Sequence, residues 1–257
     1  MPQRLPVPGS DTSLMIKKVH FEVGETAMTI MADEKYLKDA KDAIFDAREI
    51  IKAKIGDDPF FGATYEPYEE SKKDEPLIRR MCGASVIAGV GPMAAVAGAV
   101  AAYALERIYA EGCRFAIFDN GGDIAMCADR DVLIGVYQDD PKFSDLALLI
   151  PASDGIRGIC SSSGRIGPSV SFGVSSITTV FADDPVLADA CATAVANNVK
   201  DTTRESVAEA AESINDMEGA KGCMILCGGI MASCGEVPEL VPAKEGRATS
   251  MWLPFRA

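Results

Sequence analysis

An uncharged segment rich in alanine and glycine runs from Cys82 to Leu105 and restricts what this chain can fold into. About twenty apolar residues suffice to cross a bilayer, so the segment has the length of a membrane span. Its composition argues against that role, because small residues dominate and Gly89-Val90-Gly91-Pro92 interrupts it. Small side chains let a buried helix approach its neighbours closely. We therefore predict a core helix and no membrane association.

Composition fits a folded protein of 257 residues in which 48% of the residues are apolar. We predict a single domain over residues 1–257, and two closely packed halves that share a sheet are the alternative. Acidic residues outnumber basic ones by 38 to 25, and a formal charge of −13 repels nucleic acids and anionic lipids. Met1–Ser10 has neither the apolar run of an export signal nor a cysteine for a lipid anchor. We expect a cytoplasmic protein with eight free thiols and a flexible segment at residues 1–14.

Hydrophobic periodicity predicts strands and helices in mixed order without a regular βαβ alternation, which indicates an α+β fold, that is, mixed α/β. The predicted strands are residues 15–23, 27–31, 114–118, 124–126, 132–137, 146–150, 175–181 and 223–226. The predicted helices are residues 33–55, a segment after Pro76, a segment after Pro92, and residues 184–199 and 205–214.

Asp189 and Thr193 lie four residues apart in a predicted helix, so their side chains project from one face. Asn197 continues this stripe, and the surrounding residues are apolar. A buried carboxylate needs a cation, a donor or a polar cavity. Carboxylate and hydroxyl oxygens suit Mg²⁺, whereas a stripe that simply faces water is the alternative.

A serine- and glycine-rich stretch, Gly158–Gly173, is predicted as a loop that a short strand enters at Cys160. Ser161, Ser162, Ser163 and Gly164 are candidate ligand-binding residues, because hydroxyls and exposed amides form an anion or nucleotide cradle. A plain polar loop is the alternative. Cys160 is a candidate reactive thiol if the neighbouring amides and Arg165 lower its pKa, and a buried, inert cysteine is the commoner case.

Asn120, Gly121, Gly122 and Asp123 separate two predicted strands, and Asn-Gly favours a tight hairpin turn. The glycines would also let a ligand approach the backbone, so these four residues are further ligand-binding candidates.

Two other motifs are weaker. Gly89–Ala94 matches a dinucleotide-binding fingerprint but lacks a convincing strand before it, and Pro92 removes an amide. Cys223, Cys227 and Cys234 lack the usual zinc-site spacing. A single histidine, His20, disfavours triad catalysis.

Taken in order, NGGDIA at 120–125, CSSSG at 160–164 and ADACATA at 188–194 resemble the ApbE-like superfamily, which includes the FAD:protein FMN transferases. VGPMAAVAGA at 90–99 and SFG at 171–173 are similar to a smaller cytosolic branch found in methanogens and other anaerobes. The resemblance covers residues 15–235. It implies a T-fold-like architecture of mixed, largely antiparallel sheets with packed helices.

The resemblance also implies functions for the motifs. In the flavin transferases, the positions matching Asp189 and Thr193 hold Mg²⁺, and the segments matching 120–123 and 162–164 line a flavin-nucleotide pocket. Two departures argue against cleavage of FAD. The Lys-Gly-Tyr-type motif of the transferases is replaced by GPMAAVAG, and their His-x-x-Asp-Pro segment by RIGPSVSFG.

Three functions remain open from the sequence. The first is sulfide or persulfide handling at Cys160 in cysteine and homocysteine assimilation, with sulfur-assimilation proteins as partners. The second is a Mg²⁺-dependent transferase that binds a flavin nucleotide. The third is a non-enzymatic protein that binds a small-molecule ligand or acts as a scaffold. The small residues of the central helix also allow an oligomer.

Overall fold

The computed structural model describes residues 15–136, 141–163 and 173–243. The strands in these residues are β1 Ile16–Val23, β2 Thr26–Asp33, β3 Phe115–Asn120, β4 Asp123–Ala128, β5 Val132–Gly135, β6 Leu146–Ile150, β7 Ser153–Ser162, β8 Ile177–Ala182, β9 Ala220–Cys227, β10 Ile230–Gly235 and β11 Glu239–Pro242. Eight of them form a large sheet in the order β1-β2-β3-β4-β7-β8-β9-β10, and three form a second sheet in the order β11-β6-β5. Neighbouring strands pair antiparallel, from β1 with β2 through β9 with β10. The predicted α+β class with largely antiparallel sheets is confirmed.

Helices cover one face of the large sheet and the small sheet covers the other. The helices are α1 Leu37–Asp57, α2 Pro59–Ala63, α3 Pro76–Ala88, α4 Val96–Ala110, α5 Pro185–Asn198 and α6 Arg204–Glu212. Ile117 and Phe118 are neighbours in β3, yet Phe118 joins the cluster formed with the helices and Ile117 the cluster formed with β5 and β6. This follows from the alternation of side chains along a strand.

The segment Pro92–Ala110 is long and apolar enough to cross a membrane by length and composition alone. In the fold, α4 packs against α1, α5, β3 and β4, and Ala99, Ala101 and Leu105 are fully buried. Its composition is therefore explained by close packing inside the protein, as predicted.

The strand expected to enter the loop at Cys160 is longer than predicted, because β7 runs from Ser153 through Ser162. Position 158 within this strand is a glycine for a steric reason, because a Cβ there would lie 2.5 Å from the Cα of Pro185, where α5 crosses the sheet. Residues 1–14, for which flexibility was predicted, lie outside the described residues, as do Gly164 and Arg165.

Two further differences concern strands and the dinucleotide motif. Strands β10 and β11 were not predicted. The residues before Gly89 are helical, and Gly89 ends α3 with a φ of 68°. The fingerprint at Gly89–Ala94 thus lacks the strand that a dinucleotide-binding turn requires.

Candidate functional site

A cavity of about 1040 Å³ lies at one end of the strands of the large sheet, where the β1–β2 turn, the β3–β4 turn and the end of β7 meet. Helices α1, α4 and α5 contribute to one side, and β5 and β6 contribute apolar residues to the other. The three predicted stretches all reach its wall: the glycine turn at 120–123, Ser161–Ser163, and the stripe of Asp189, Thr193 and Asn197. The stripe therefore faces a cavity and not open water.

The β3–β4 connection is a tight hairpin, as predicted, but its two turn residues are Gly121 and Gly122 and not Asn120 and Gly121, because Asn120 is paired with Asp123 at the end of β3. Gly121 and Gly122 have φ angles of 72° and 104°, which favour glycine. The Gly122 amide donates to Asp119 Oδ1 at 2.9 Å. Asn120 Nδ2 donates to the Ala97 carbonyl at 3.2 Å, which ties the turn to the first turn of α4.

Asp123 and Asp189 form a hydrogen-bonded pair of carboxyl groups in the cavity wall. Asp123 Oδ1 accepts from the Ser161 amide at 3.2 Å, and Asp189 Oδ2 accepts from the Gly98 amide at 2.8 Å. Burial raises the pKa of Asp189 to about 7, against the opposing effect of the Gly98 and Ala97 amides. Burial and the charge of Asp189 raise the pKa of Asp123 well above its ordinary value. The pair therefore shares a proton when no cation is present.

The oxygens of Asp123, Asp189 and Thr193 fit Mg²⁺, which takes hard ligands and is often held by one or two carboxylates together with substrate phosphates. Such an ion would also offset the charge repulsion between the two carboxylates. Across the ranges that the structure describes, no cluster of three or more His, Cys, Asp or Glu side chains could hold a metal. The zinc arrangement at Cys223, Cys227 and Cys234 is thus not formed.

The serines differ in their hydrogen bonds. Ser161 Oγ pairs with Thr179 Oγ1 at 2.9 Å, and Ser163 Oγ donates to the Ser176 carbonyl at 2.7 Å. Ser162 Oγ is buried and has no partner among the described residues. A buried polar group without a partner is rare and requires an explanation, such as a ligand.

The structure contradicts the reactive-thiol role predicted for Cys160. Its side chain is fully buried, it does not line the cavity, and Sγ donates to the Pro185 carbonyl at 3.4 Å. Burial and the charges of Asp123 and Asp189 raise the pKa of the thiol well above its ordinary value. Arg165, which was expected to lower it, lies outside the described residues.

One part of the wall was not predicted from the sequence, and it is formed by Glu25, Thr26, Arg48 and Lys52. A signal for it existed. Arg48 follows Ile44 by four residues on the apolar face of α1, so an arginine interrupts a buried stripe. The apolar contribution of Ile134 and Leu148 required knowledge of how the small sheet packs.

Comparison with solved structures identifies the class of fold. The flavin transferase ApbE from Vibrio cholerae has a TM-score of 0.54 at 10% identity, over 86% of this chain and 97% of that one. The ApbE protein from Thermotoga maritima has a TM-score of 0.53 at 13% identity, over 84% and 96%. The fold is therefore that of the ApbE proteins.

Sequence comparison identifies the family. A family model described as "AbpE bacteria" matches residues 11–222. A UPF0280 protein of Methanocella arvoryzae is 41% identical over 229 residues, 89% of this chain and 93% of the relative. A UPF0280 protein of Archaeoglobus fulgidus is 40% identical over 235 residues, 89% and 96% of the two chains. The chain belongs to this ApbE-like family, as the resemblance implied.

Proposed function

We propose that this protein is a Mg²⁺-dependent flavin-nucleotide transferase of the ApbE class. The observation that carries the proposal is the convergence of the glycine turn, Ser162 and the Asp123–Asp189 pair on one large cavity. Flavin transferases with the same fold provide the chemical class. A volume of about 1040 Å³ is at the upper end of the range for small-molecule sites.

Different residues of the cavity wall would bind different parts of the ligand. Asp123, Asp189 and Thr193 would hold the ion, which when bound supplies neutralisation of phosphate charge. The turn at Gly121-Gly122 leaves room for a ligand close to the backbone. Ser162 Oγ supplies a hydrogen bond that the protein itself does not use. Apolar residues such as Ile134 and Val136 exclude water around a flat ring.

The proposal predicts FAD binding that depends on Mg²⁺ and on Asp189. In a fluorescence titration, Asp189→Asn should weaken Mg²⁺-dependent FAD binding by at least about a hundredfold, because it removes a carboxylate ligand. Asp46→Asn is the matched control, since Asp46 lies on α1 in an exposed ion pair with Arg107. Absence of binding at saturating FAD and Mg²⁺ would reject the proposal.

A binding protein without turnover is the second candidate, and one observation favours it. Gly91, Met93, Ala94 and Val96 line the cavity where the transferases have their Lys-Gly-Tyr-type motif, so this part of the wall carries no charge. Release of AMP from bound FAD, followed by chromatography, separates the two candidates: a transferase releases AMP when an acceptor hydroxyl is present, and a binding protein does not.

Sulfide or persulfide handling at Cys160 has no support. It requires a reachable thiolate with a low pKa, and Cys160 has neither property.

A further inference from the structure

The charged residues of the described cavity wall form two groups, and both basic residues belong to one of them. Asp119, Asp123 and Asp189 come from β3, β4 and α5, whereas Arg48 and Lys52 come from α1 and face Glu25 of the β1–β2 turn. Strand β2 is three positions from β7 in the sheet, and strands are about 4.8 Å apart. The basic part of the wall is therefore roughly 14 Å from the end of β7.

Arg48 is held in the wall but is incompletely paired. Its side chain is 9% exposed, Nη1 donates to Thr26 Oγ1, and Nη2 donates to Glu25 Oε2 at 2.6 Å. Nε is buried and has no partner among the described residues. Nε and Nη2 form one edge of the guanidinium group, which suits two oxygens of a carboxylate or phosphate. Glu25 thus fills half of that edge.

Arg80 shows what a filled edge looks like in the same protein. Its Nε donates to Asp184 Oδ2 at 3.0 Å and its Nη2 to Asp184 Oδ1 at 2.8 Å, while Nη1 donates to Glu106. Asp184 caps α5 and is fixed by the fold. Arg80 is therefore structural, whereas Arg48 has one strong donor unused beside a cavity.

Glu25 has the properties of an exchangeable partner. Its side chain is 91% exposed, so the carboxylate can turn into solvent at little cost. The buried guanidinium, by contrast, needs an anion at all times, because an unpaired buried charge is strongly unfavourable. Gly24 leaves room for the guanidinium group beside the turn, since a Cβ there would lie 2.3 Å from Arg48 Nη2.

We propose that the Nε–Nη2 edge of Arg48 is a binding subsite for a phosphate or carboxylate of the cavity ligand, and that Glu25 occupies the edge until this group displaces it. Lys52, one turn further along α1, adds a second positive charge to the same part of the wall. The inference rests on the proposed function for the ligand being a flavin nucleotide, but the oxyanion chemistry of the subsite is independent of the flavin.

Calorimetric titration with inorganic pyrophosphate and with succinate, in EDTA so that the acid pair holds no metal, tests the subsite. Glu25→Gln removes the competing carboxylate and should tighten binding of at least one anion by about fivefold or more. Arg48→Lys keeps the charge but loses the planar edge, and should weaken binding by at least about tenfold. Arg107→Lys, at an exposed arginine on α4, is the matched control and should bind like the wild type.

Each result of these titrations supports or overturns the Arg48 subsite. Unchanged binding by Arg48→Lys, or no tightening in Glu25→Gln, overturns the proposal, as does a Glu25→Gln protein that binds neither anion. If Arg48→Lys does not fold, the Glu25→Gln titration decides alone. The preferred anion identifies the group as phosphate or carboxylate. Failure of FAD to bind while pyrophosphate binding still requires Arg48 would reject the flavin proposal and leave the subsite standing.

Discussion

The two charged parts of the cavity wall are built in different ways. At the acidic part, Asp189 accepts hydrogen bonds from backbone amides in the first turn of α4, and the Ser161 amide fixes Asp123. The positive end of the α4 dipole lies there and favours negative charge. At the basic part, Arg48 is buried but its anionic partner, Glu25, is almost fully exposed.

The acidic part is therefore the more rigid of the two, and the basic part can exchange partners. The acidic groups are positioned by main-chain donors on packed elements, so their geometry is set before any ligand arrives. The ion pair at the basic part can be opened by the movement of one exposed side chain. We expect the first part to fix a cation and the second to select an anion.

The largest effect is expected from pH at Asp189. Its pKa is raised from an ordinary value of 3.8 to about 7, so the folded protein holds a proton that the unfolded chain has released. The contribution of Asp189 to the free energy of unfolding is fully present when the pH is below the ordinary pKa of the group, and it is lost as the pH rises through about 7. Asp189→Asn mimics the protonated form. Between about pH 4 and pH 8 in EDTA, its free energy of unfolding should rise relative to that of the wild type by a few kcal/mol.

Urea unfolding at several pH values measures this difference, and saturating Mg²⁺ should remove it by stabilising the wild type alone at neutral pH. Asp46→Asn is again the control, because its carboxylate is exposed and outside the cavity. Parallel pH profiles for the wild type and Asp189→Asn would show that burial does not raise the pKa of Asp189.

A smaller change in stability, here a loss, is expected when the packing behind Asp189 is disturbed. A Cβ on Gly98 would lie 2.4 Å from the Pro185 carbonyl oxygen and 2.8 Å from Asp189 Cβ. Since one of these neighbours is backbone, α4 and α5 must move apart. Gly98→Ala should destabilise the fold by about 1–3 kcal/mol and weaken Mg²⁺ binding at the same time.

Gly83→Ala provides the matched comparison for Gly98→Ala. Gly83 also lies within a helix, α3, but a Cβ there meets nothing within 4 Å. The substitution should stabilise the protein by about 0.5–1 kcal/mol, the intrinsic helix preference for alanine over glycine. Denaturant midpoints of the two variants should therefore move in opposite directions, and a shift in the same direction would contradict the importance of the close α4–α5 contact.

The same contrast shows how far the sequence could predict the site. Local signals sufficed for Asn120–Asp123, because the turn depends on two glycines next to each other. The spacing of Asp189 and Thr193 placed both on one helix face. That this face meets Asp123 depends on antiparallel pairing of β4 with β7 and on α5 crossing them, which are contacts between distant parts of the chain.

The basic part was missed for a related reason. The predicted helix from residue 33 to 55 was correct, and its apolar face included Ala47 and Ile51. Arg48 was not considered, because an arginine is normally expected at the surface. Its burial depends on the turn at Gly24-Glu25, which supplies both the space and the counter-charge. Only the tertiary structure brings these two segments together.

The smallest effect on stability is expected at Ser162, at the end of β7. Its hydroxyl is buried without a partner, so Ser162→Ala should change the free energy of unfolding by less than about 1 kcal/mol, or stabilise the ligand-free protein. If Ser162 Oγ binds the ligand, the same variant should weaken FAD binding by about tenfold. Ser161→Ala is the control, because Ser161 Oγ already pairs with Thr179. A clear loss of stability in Ser162→Ala would show that the hydroxyl has a partner within the protein and is not available to a ligand.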